Sequence, residues 1–279
     1  MFKKIILVQL IICTYLLVIN CSPVVAFAKP LIGVKGEEFV LRAEFSTEYK
    51  TSTNERAHNI SLAVSKINGA FLDVGQEFSF NKTVGKRTEQ NGFKRAKIIL
   101  NGIFVDGVGG GVCQVSTTLY NAVLRANLPV TEYHPHSLAV SYVDPSFDAM
   151  VNSGTADMRF VNDTAMPILI KATATNRQVK FSIYGKAMTE KVHFSSEKIC
   201  EVPPQSIEFI DDETLFEGEQ EFITYPKNGL KSRAFITVVK DGKTTTRLLR
   251  KDYYKPIRAT IKRGTKKPPL DSLPKEGVG

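Results

Sequence analysis

The sequence predicts an α+β fold, in which a mixed-sheet domain with two main helices is followed by a small all-β module. Two segments have apolar residues at the three- and four-residue intervals of helices, and most of the remaining chain alternates apolar and polar residues between turn-forming residues. Pro203 and Pro204 lie in a stretch without periodicity, so we place a linker at residues 192–205. The predicted domains are residues 29–200 and residues 206–265.

The chain begins with the features of a secretory signal peptide. Two lysines precede an apolar run, and Ala26 and Ala28 form an A-x-A-like cleavage site, which predicts removal of residues 1–28. Acylation of Cys21, or retention of the segment as a membrane anchor, are the alternatives. Under each of them the rest of the chain works outside the membrane, so we expect it to be secreted or held at the extracellular face of the cell envelope.

The chain is basic, with 37 Lys and Arg residues against 28 Asp and Glu residues and a net charge of +9. Removal of Lys3 and Lys4 with the signal peptide would lower the net charge to +7. A basic exported protein suits an anionic neighbourhood such as a cell wall or a lipid surface. The basic residues are scattered and accompany no recognition motif, which disfavours nucleic acid as a partner.

The first predicted helix spans residues 54–68. Residues 52–55 have the pattern of a capping box, and Gly69 ends the helix. Its apolar face consists of Ala57, Ile60, Ala63, Val64 and Ile67. Glycines then divide the chain as far as residue 111 into short apolar runs, which predicts strands and turns.

The second predicted helix lies within residues 113–129 and is closed by a proline. The chain carries no charge between Asp106 and Arg125, which indicates a helix that is buried on more than one side. Residues 130–143 alternate enough to predict an extended strand pair, and residues 158–186 predict β-hairpins.

The C-terminal part predicts a small all-β module over residues 206–265. Apolar and polar residues alternate there, and Asn228-Gly229 and Asp241-Gly242 are turn signals. The last segment, residues 266–279, is rich in Pro, Lys and Gly and is expected to be disordered.

The segment "GVGGGVCQV", residues 107–115, places a cysteine behind four glycines at the start of the second helix. The partial positive charge of a helix N-terminus favours a thiolate at Cys113 and lowers the pKa of its thiol. The glycines leave room for a ligand backbone near the sulfur, and the amides of Val112 and Cys113 can face a developing oxyanion. The candidate binding residues are Gly109, Gly110, Gly111, Gln114, Ser116 and His134.

A thiolate nucleophile also needs an imidazole to hold a proton, and two histidines follow the second helix. Of His134 and His136 we favour His136, because the serine beside it could hold a ring nitrogen. Asp148 is the candidate that orients the imidazole, and Asp157 is the second choice. The predicted catalytic group is therefore Cys113, His136 and Asp148.

Three other roles remain open for Cys113. It could be a buried structural thiol, or it could form a disulfide with Cys200, the other cysteine that remains after loss of the signal peptide. It could also join the two histidines in a metal site, although no paired-cysteine or i, i+4 histidine spacing supports this. We expect neither a metal nor a cofactor.

Residues 44–185 resemble the VanW family, whose founding member is an accessory protein of B-type vancomycin-resistance clusters. The motifs that carry the resemblance are "GQEFSFNKTVGKRT", "GVGGGVCQVSTTLYNAVLRANL", "EYHPHSLAVSYV", "FDAMV" and "DMRFVND". The family tends to have a glycine directly before the Asp-Ala pair, where this chain has Phe147. The resemblance implies a place at the cell envelope and a link to peptidoglycan or to the glycopeptide response.

The C-terminal segment is similar to a G-five (G5) domain, a small extracellular β module that is linked to N-acetylglucosamine or wall polymers. The stretch "LFEGEQEFITYPKNGLKSRAFITVVKDGK" carries the resemblance, and it keeps Gly229 and Gly242. The partner implied by both resemblances is peptidoglycan or another cell-wall polymer.

Two classes of function fit these observations. The first is an exported thiol-dependent acyl transferase or amidase that acts on peptidoglycan through Cys113 and His136. The alternative is a non-catalytic protein that binds peptidoglycan or carbohydrate, or an envelope scaffold linked to the glycopeptide response.

Overall fold

Residues 39–100 and 103–267 are described by the computed structural model of the protein. They belong to one compact unit. The predicted signal peptide and nearly all of the predicted disordered tail lie outside the described residues. Among the described helices, none combines the length and the hydropathy that a membrane span requires.

The N-terminal part combines three antiparallel groups of strands with α-helices. Its strands are β1 (Val40–Glu48), β2 (Ala70–Leu72), β3 (Glu77–Ser79), β4 (Arg95–Leu100), β5 (Ile103–Val108), β6 (Val130–Glu132), β7 (Arg159–Val161), β8 (Ile168–Thr175) and β9 (Gln178–Gly185). Its helices are α1 (Asn54–Ile67), the short α2 (Phe80–Val84) and α3 (Val112–Arg125). The strands pair in the orders β1-β9-β8-β2, β3-β7-β6 and β4-β5.

Helix α1 confirms the first predicted helix to within one residue at its C-terminal end. Its N-cap is Thr53, whose hydroxyl accepts a hydrogen bond from the amide of Arg56 at 3.3 Å. The capping pattern therefore begins one residue later than the predicted box. At the other end Gly69, with φ +86°, turns the chain away in a conformation that favours glycine.

Helix α3 confirms the prediction of a helix that is buried on several sides, because every residue from Gln114 to Leu124 is buried. Its apolar side chains pack toward β1 and β9. Its polar side chains hold the loop around residue 148. Ser116 donates to the carbonyl of Ala149 at 2.6 Å, and Asn121 donates to the carbonyl of Phe147 at 2.7 Å. The uncharged but polar face of α3 thus fixes the loop beside it.

The strand pair predicted over residues 130–143 is wrong. Only β6 is a strand there, and the chain from residue 133 to residue 158 has no regular structure. Pro135 and Pro145 lack the amide hydrogen that a strand ladder requires. Side-chain hydrogen bonds take the place of a strand ladder here. A hydrogen bond from the amide of Met150 to the carbonyl of His134, at 2.8 Å, closes the loop.

The C-terminal module is all-β, as predicted, and contains six strands among its described residues. They are β10 (Lys191–Val202), β11 (Glu208–Phe216), β12 (Gln220–Thr224), β13 (Gly229–Lys240), β14 (Lys243–Tyr254) and β15 (Thr260–Lys266). They form two sheets, in the orders β10-β13-β14 and β11-β15-β12. Asp241-Gly242 forms the β13–β14 turn with positive φ at both residues, which confirms that turn signal.

The predicted linker at residues 192–205 is wrong. Most of these residues belong to β10, which pairs with β13 over its whole length. Exposed and half-buried residues alternate in β10 only as far as Glu197, and the exposed residues that follow break the pattern that predicts a strand. Asn228-Gly229 is not a hairpin turn either. Gly229 begins β13, where a Cβ would lie 2.5 Å from the carbonyl oxygen of Tyr254.

The α+β class with two main helices is confirmed. The sheet pairings of the N-terminal part are antiparallel throughout its described residues, whereas the mixed sheet lies in the C-terminal module, where β11 runs parallel to β15. The two parts share one core, which includes Ala234 of β13. Across the junction the rings of Phe147 and Phe194 meet edge to face at 5.8 Å.

The glycines before α3 are packed against neighbours on both sides. Gly109 and Gly110 are buried, and a Cβ on Gly110 would lie 2.6 Å from the carbonyl oxygen of Lys97. Gly111 has φ +105°, and a Cβ there would lie 2.9 Å from Cγ of Arg56. The loop therefore needs glycines in order to bring the start of α3 against β4 and α1.

We expect Gly110→Ala to lower the free energy of unfolding by about 1–3 kcal/mol, because the new methyl group would meet backbone atoms that cannot move aside cheaply. Gly154→Ala is the matched control. A Cβ there meets nothing within 4 Å, so its effect should stay within about 0.5 kcal/mol. Urea unfolding followed by circular dichroism measures both, and equal stabilities would contradict the packing role.

Candidate functional site

Cys113 is the second residue of α3 and lies in the first turn of a fourteen-residue helix. That turn contains no acidic residue and has no side-chain cap. The partial positive charge of the helix end therefore acts on the thiol without a competing negative group in that turn. Sγ lies 3.3 Å from the carbonyl oxygen of Val151, and the residue is partly exposed. Cys200 is exposed, and both thiols are free, which excludes the disulfide alternative in this structure.

The His136 ring joins Cys113 to Asp148. Its Nδ1 lies 2.7 Å from Oδ2 of Asp148, and the backbone amide of His136 donates to the same oxygen at 2.7 Å. The ring also interacts electrostatically with the thiol of Cys113. The ring is only 5% exposed. The structure thus brings the three predicted catalytic residues together, with His136 bonded to Asp148 and interacting with Cys113.

The electrostatics of this group favour a thiolate beside an imidazolium. Burial raises the pKa of the Cys113 thiol, but the interaction with His136 and the charges of His136 and Arg87 bring it below its ordinary value. Burial likewise lowers the pKa of His136. The hydrogen bonds and charges of Asp148 and Cys113 outweigh this and raise the pKa of His136 to about 9.

Asp148 is buried, yet it stays ionised. Burial raises the pKa of its carboxyl group, whereas His136, Arg250 and Tyr254 bring it below the usual range. Tyr254 donates to Oδ1 at 2.6 Å, and Arg250 contacts Oδ1 at 3.2 Å and donates to the carbonyl of Asp148 at 2.6 Å. Arg250 and Tyr254 both lie on β14, and neither was predicted from the sequence. The available signal was an arginine at an inward position of an alternating strand.

Two arginines flank the thiol. Arg56 donates to Ser52 and Gln114, and Arg87 donates to Asn81 at 2.5 Å. Within the described chain neither forms an ion pair with a carboxylate, and both feel the charge of Cys113. The charged and titratable groups that interact with Cys113 or His136 are Arg56, Arg87, Tyr142 and Asp148, and Arg250 contacts Asp148.

Of the two backbone amides that are predicted to face an oxyanion, those of Val112 and Cys113, only one is free to do so. The amide of Val112 donates to the carbonyl of Gly109 at 3.1 Å and is not free to face a substrate oxygen. No described residue accepts a hydrogen bond from the amide of Cys113. Only the Cys113 amide therefore remains available for this purpose.

Most of the predicted binding residues have structural partners instead of facing open space. Gly109, Gly110 and Gly111 pack against Arg87, β4 and α1. Gln114 is buried and bonded to Thr47, Glu48 and Arg56, and Ser116 is buried and bonded to the carbonyls of Cys113 and Ala149. These contacts occupy the polar groups of Gln114 and Ser116 and pack the glycines closely, and ligand contact at these residues stays a prediction.

His134 and Asp157 are not part of the cluster. The ring of His134 is 37% exposed and bonds Glu132 at 3.0 Å. Asp157 accepts hydrogen bonds from Ser79 and from the amide of Asn81 at 2.8 Å, where α2 begins. The sequence favours His136 over His134 and Asp148 over Asp157. The favoured residues are the ones that the structure groups with Cys113.

We expect Cys113 to react with iodoacetamide at neutral pH faster than a short cysteine peptide, because His136 holds its thiolate. His136→Gln should move the inflection of the rate–pH curve to higher pH, since the group that does most to offset burial of the thiol is then gone. If the pKa of the thiol rises by about one, the rate below the inflection falls about tenfold. Mass spectrometry of the tryptic peptide that contains Cys113 separates this reaction from that of Cys200. Equal rates for protein and peptide would contradict the ion pair.

Residues 55–184 match the family model described as VanW like protein, and residues 195–266 match the model described as G5 domain. "Uncharacterized protein YoaR" from Bacillus subtilis (strain 168) is 42% identical over 51% of this chain and 47% of its own length. "Vancomycin B-type resistance protein VanW" from Enterococcus faecalis (strain ATCC 700802 / V583) is 23% identical over 50% and 52%. The chain thus spans about half the length of these curated relatives.

Among solved structures, "IgA1 Protease G5 domain structure" is similar at 18% identity with a TM-score of 0.21, over 29% of this chain and 96% of that one. The assignment of the C-terminal module therefore depends on the family model. Both predicted resemblances are confirmed by the family models. The chain contains a VanW domain, which carries Cys113, His136 and Asp148, followed by a G5 domain.

Proposed function

We propose that this protein is exported to the cell wall and acts there as a thiol acyl transferase or amidase on the peptide stems of peptidoglycan. The observation that carries the proposal is the buried His136–Asp148 pair, whose ring interacts with the Cys113 thiol at the start of α3. The wall is supported as the site of action by the VanW and G5 family models and by the name of the enterococcal relative. The N-terminal sequence features support export.

The first half-reaction forms a thioester. The Cys113 thiolate attacks the carbonyl carbon of a stem amide, and the electron pair of the C=O bond moves to oxygen, which the Cys113 amide faces. When the oxyanion collapses, the C–N bond breaks and the His136 imidazolium gives its proton to the departing amine. The products are an acyl thioester on Cys113, a free amine and a neutral His136.

The second half-reaction restores the enzyme. A water molecule or an acceptor amine gives a proton to the neutral ring of His136 as it attacks the thioester carbon. The C–S bond breaks, and the electron pair returns to Cys113 as thiolate. Water yields a free carboxyl group, whereas an amine yields a new amide. Asp148 is a positioning residue in both halves, because it holds Nδ1 and stabilises the imidazolium.

Arg56 and Arg87 suit a substrate with a negative charge close to the scissile bond. Both are half-buried, both bond only neutral groups among the described side chains, and both feel the charge at Cys113. The free carboxyl end of a short peptide offers the planar pair of oxygens that a guanidinium binds best. A stem amide next to such a carboxylate fits this surface.

The G5 domain offers a separate surface for polymer. The rings of Phe222 and Tyr225 stack at 4.9 Å with an interplanar angle of 6°, and they are 44% and 72% exposed. Large exposed aromatic faces mark binding surfaces in soluble proteins. This exposed surface also favours the second candidate function, in which the protein binds wall polymer and catalyses nothing.

We expect Cys113→Ala to abolish turnover of stem peptides in isolated peptidoglycan, with a loss of at least about a thousandfold, since no other described thiol adjoins a histidine. Cys200→Ser is the matched control and should retain full turnover. Mass spectrometry of the soluble peptides measures the reaction, and intact-mass analysis after acid quenching detects the thioester. If the wild-type chain binds peptidoglycan and leaves Cys113 unacylated, the non-catalytic function holds.

We expect Tyr225→Ala to weaken co-sedimentation with peptidoglycan by about fivefold or more, because the mutation removes one ring of the exposed stack. Phe104→Ala is the matched control. Phe104 lies on β5 of the VanW domain and is 61% exposed, so it loses a comparable aromatic surface outside the G5 domain. Equal loss in both variants would show general apolar adhesion and not a G5 site.

A further inference from the structure

The carboxylate of Asp148 is shared between the two domains. Its Oδ2 accepts two hydrogen bonds from His136 of the VanW domain. Its Oδ1 lies 2.6 Å from the hydroxyl of Tyr254 and 3.2 Å from Nη2 of Arg250, both on β14 of the G5 domain. Each oxygen is thus held by a different domain.

The contact is buried and extends beyond the carboxylate. The side chains of Arg250 and Asp148 are each 1% exposed, and Tyr254 is 1% exposed. The hydroxyl of Tyr254 also accepts a hydrogen bond from the amide of Ser146 at 2.7 Å. The hydroxyls of Ser146 and Ser232 lie 2.7 Å apart. The turn that carries Asp148 is therefore bonded to β13 and β14 on several sides.

Arg250 is itself held in place. Its Nε bonds Asp252 at 2.6 Å, and its guanidinium lies over the ring of Tyr133 at 4.7 Å. With Nε occupied, Nη1 and Nη2 meet the carbonyl and the carboxylate of Asp148 as a fork. A fork of this kind fixes direction as well as charge.

We infer that the G5 domain completes the thiol site, with Arg250 and Tyr254 as positioning residues that aim the Asp148 carboxylate at His136. The inference rests on the proposed function of the same site, and it assigns the G5 domain a second role beside polymer binding. Without the two donors on Oδ1, the carboxylate can turn about its Cβ–Cγ bond, and the bond from Oδ2 to Nδ1 loses its direction. The imidazolium is then held less well, and with it the thiolate of Cys113.

The experiment measures the ionisation of Cys113 without any wall substrate. The full chain and two variants, Tyr254→Phe and Arg250→Lys, are alkylated with iodoacetamide over a range of pH, and the tryptic peptide of Cys113 is quantified. Tyr254→Phe removes one hydroxyl, and Arg250→Lys keeps the charge but removes the fork. Arg233→Gln is the matched control, since Arg233 lies exposed on β13 and pairs with Glu197.

Both variants should move the inflection of the alkylation rate–pH curve to higher pH and slow alkylation at pH 6 by about tenfold. This is expected when the pKa of the thiol rises by about one. The control Arg233→Gln should match the wild type. The downfield Nδ1 proton of His136 in the NMR spectrum should weaken in parallel. A purely structural contact would lower the melting temperature and leave both readouts unchanged. If Tyr254→Phe and Arg250→Lys fold and their alkylation curves have the same inflection pH as the wild type, the inference is overturned. If Arg250→Lys does not fold, Tyr254→Phe decides alone.

The result also separates this inference from the proposed function. If alkylation slows in the variants but peptidoglycan is never acylated, the positioning role stands and the proposed reaction fails. If peptidoglycan is acylated with wild-type rates in Tyr254→Phe and its inflection does not move, the reaction stands and the positioning role fails.

Discussion

The negative charge buried at Asp148 is the constraint on which the arrangement of the site depends. An ionised carboxylate out of water is costly unless hydrogen bonds and opposite charge surround it. Here two donors come from His136, and Tyr254 and Arg250 supply the others. The VanW loop and the G5 strand must therefore meet at this point. Polar side chains of α3, such as Asn121, hold the same loop from the other side.

The site and the two helices could be predicted because their signals are local. The periodicity of α1 and α3, the glycines before Cys113 and the choice of His136 and Asp148 all follow from short stretches of sequence. Strand β10 was missed because its alternation of exposed and half-buried residues stops at Glu197 and the next residues are all exposed. Arg250 and Tyr254 were missed because they lie 102 and 106 residues from Asp148, and pairing over such separations leaves no periodic trace in one sequence.

The glycine loop shows how one pattern can serve a purpose different from the one it predicts. Glycines beside a reactive cysteine predict space for a ligand, yet Gly110 has none to spare, since strand β4 lies where a side chain would be. Gln114 is likewise committed to Thr47 and Glu48. The tight packing of this loop fixes the start of α3, where the thiol lies.

Strand β14 comes late in the chain, and this sets an order of events during synthesis. The ribosome makes Cys113, His136 and Asp148 long before it makes Arg250 and Tyr254. A nascent or truncated chain that ends before β14 contains the thiol but lacks two donors to the carboxylate behind the histidine. Such a chain would expose the carboxylate to water on its G5 side. The protein thus gains its full set of contacts around the thiol only when the domain that is expected to bind the wall is also present.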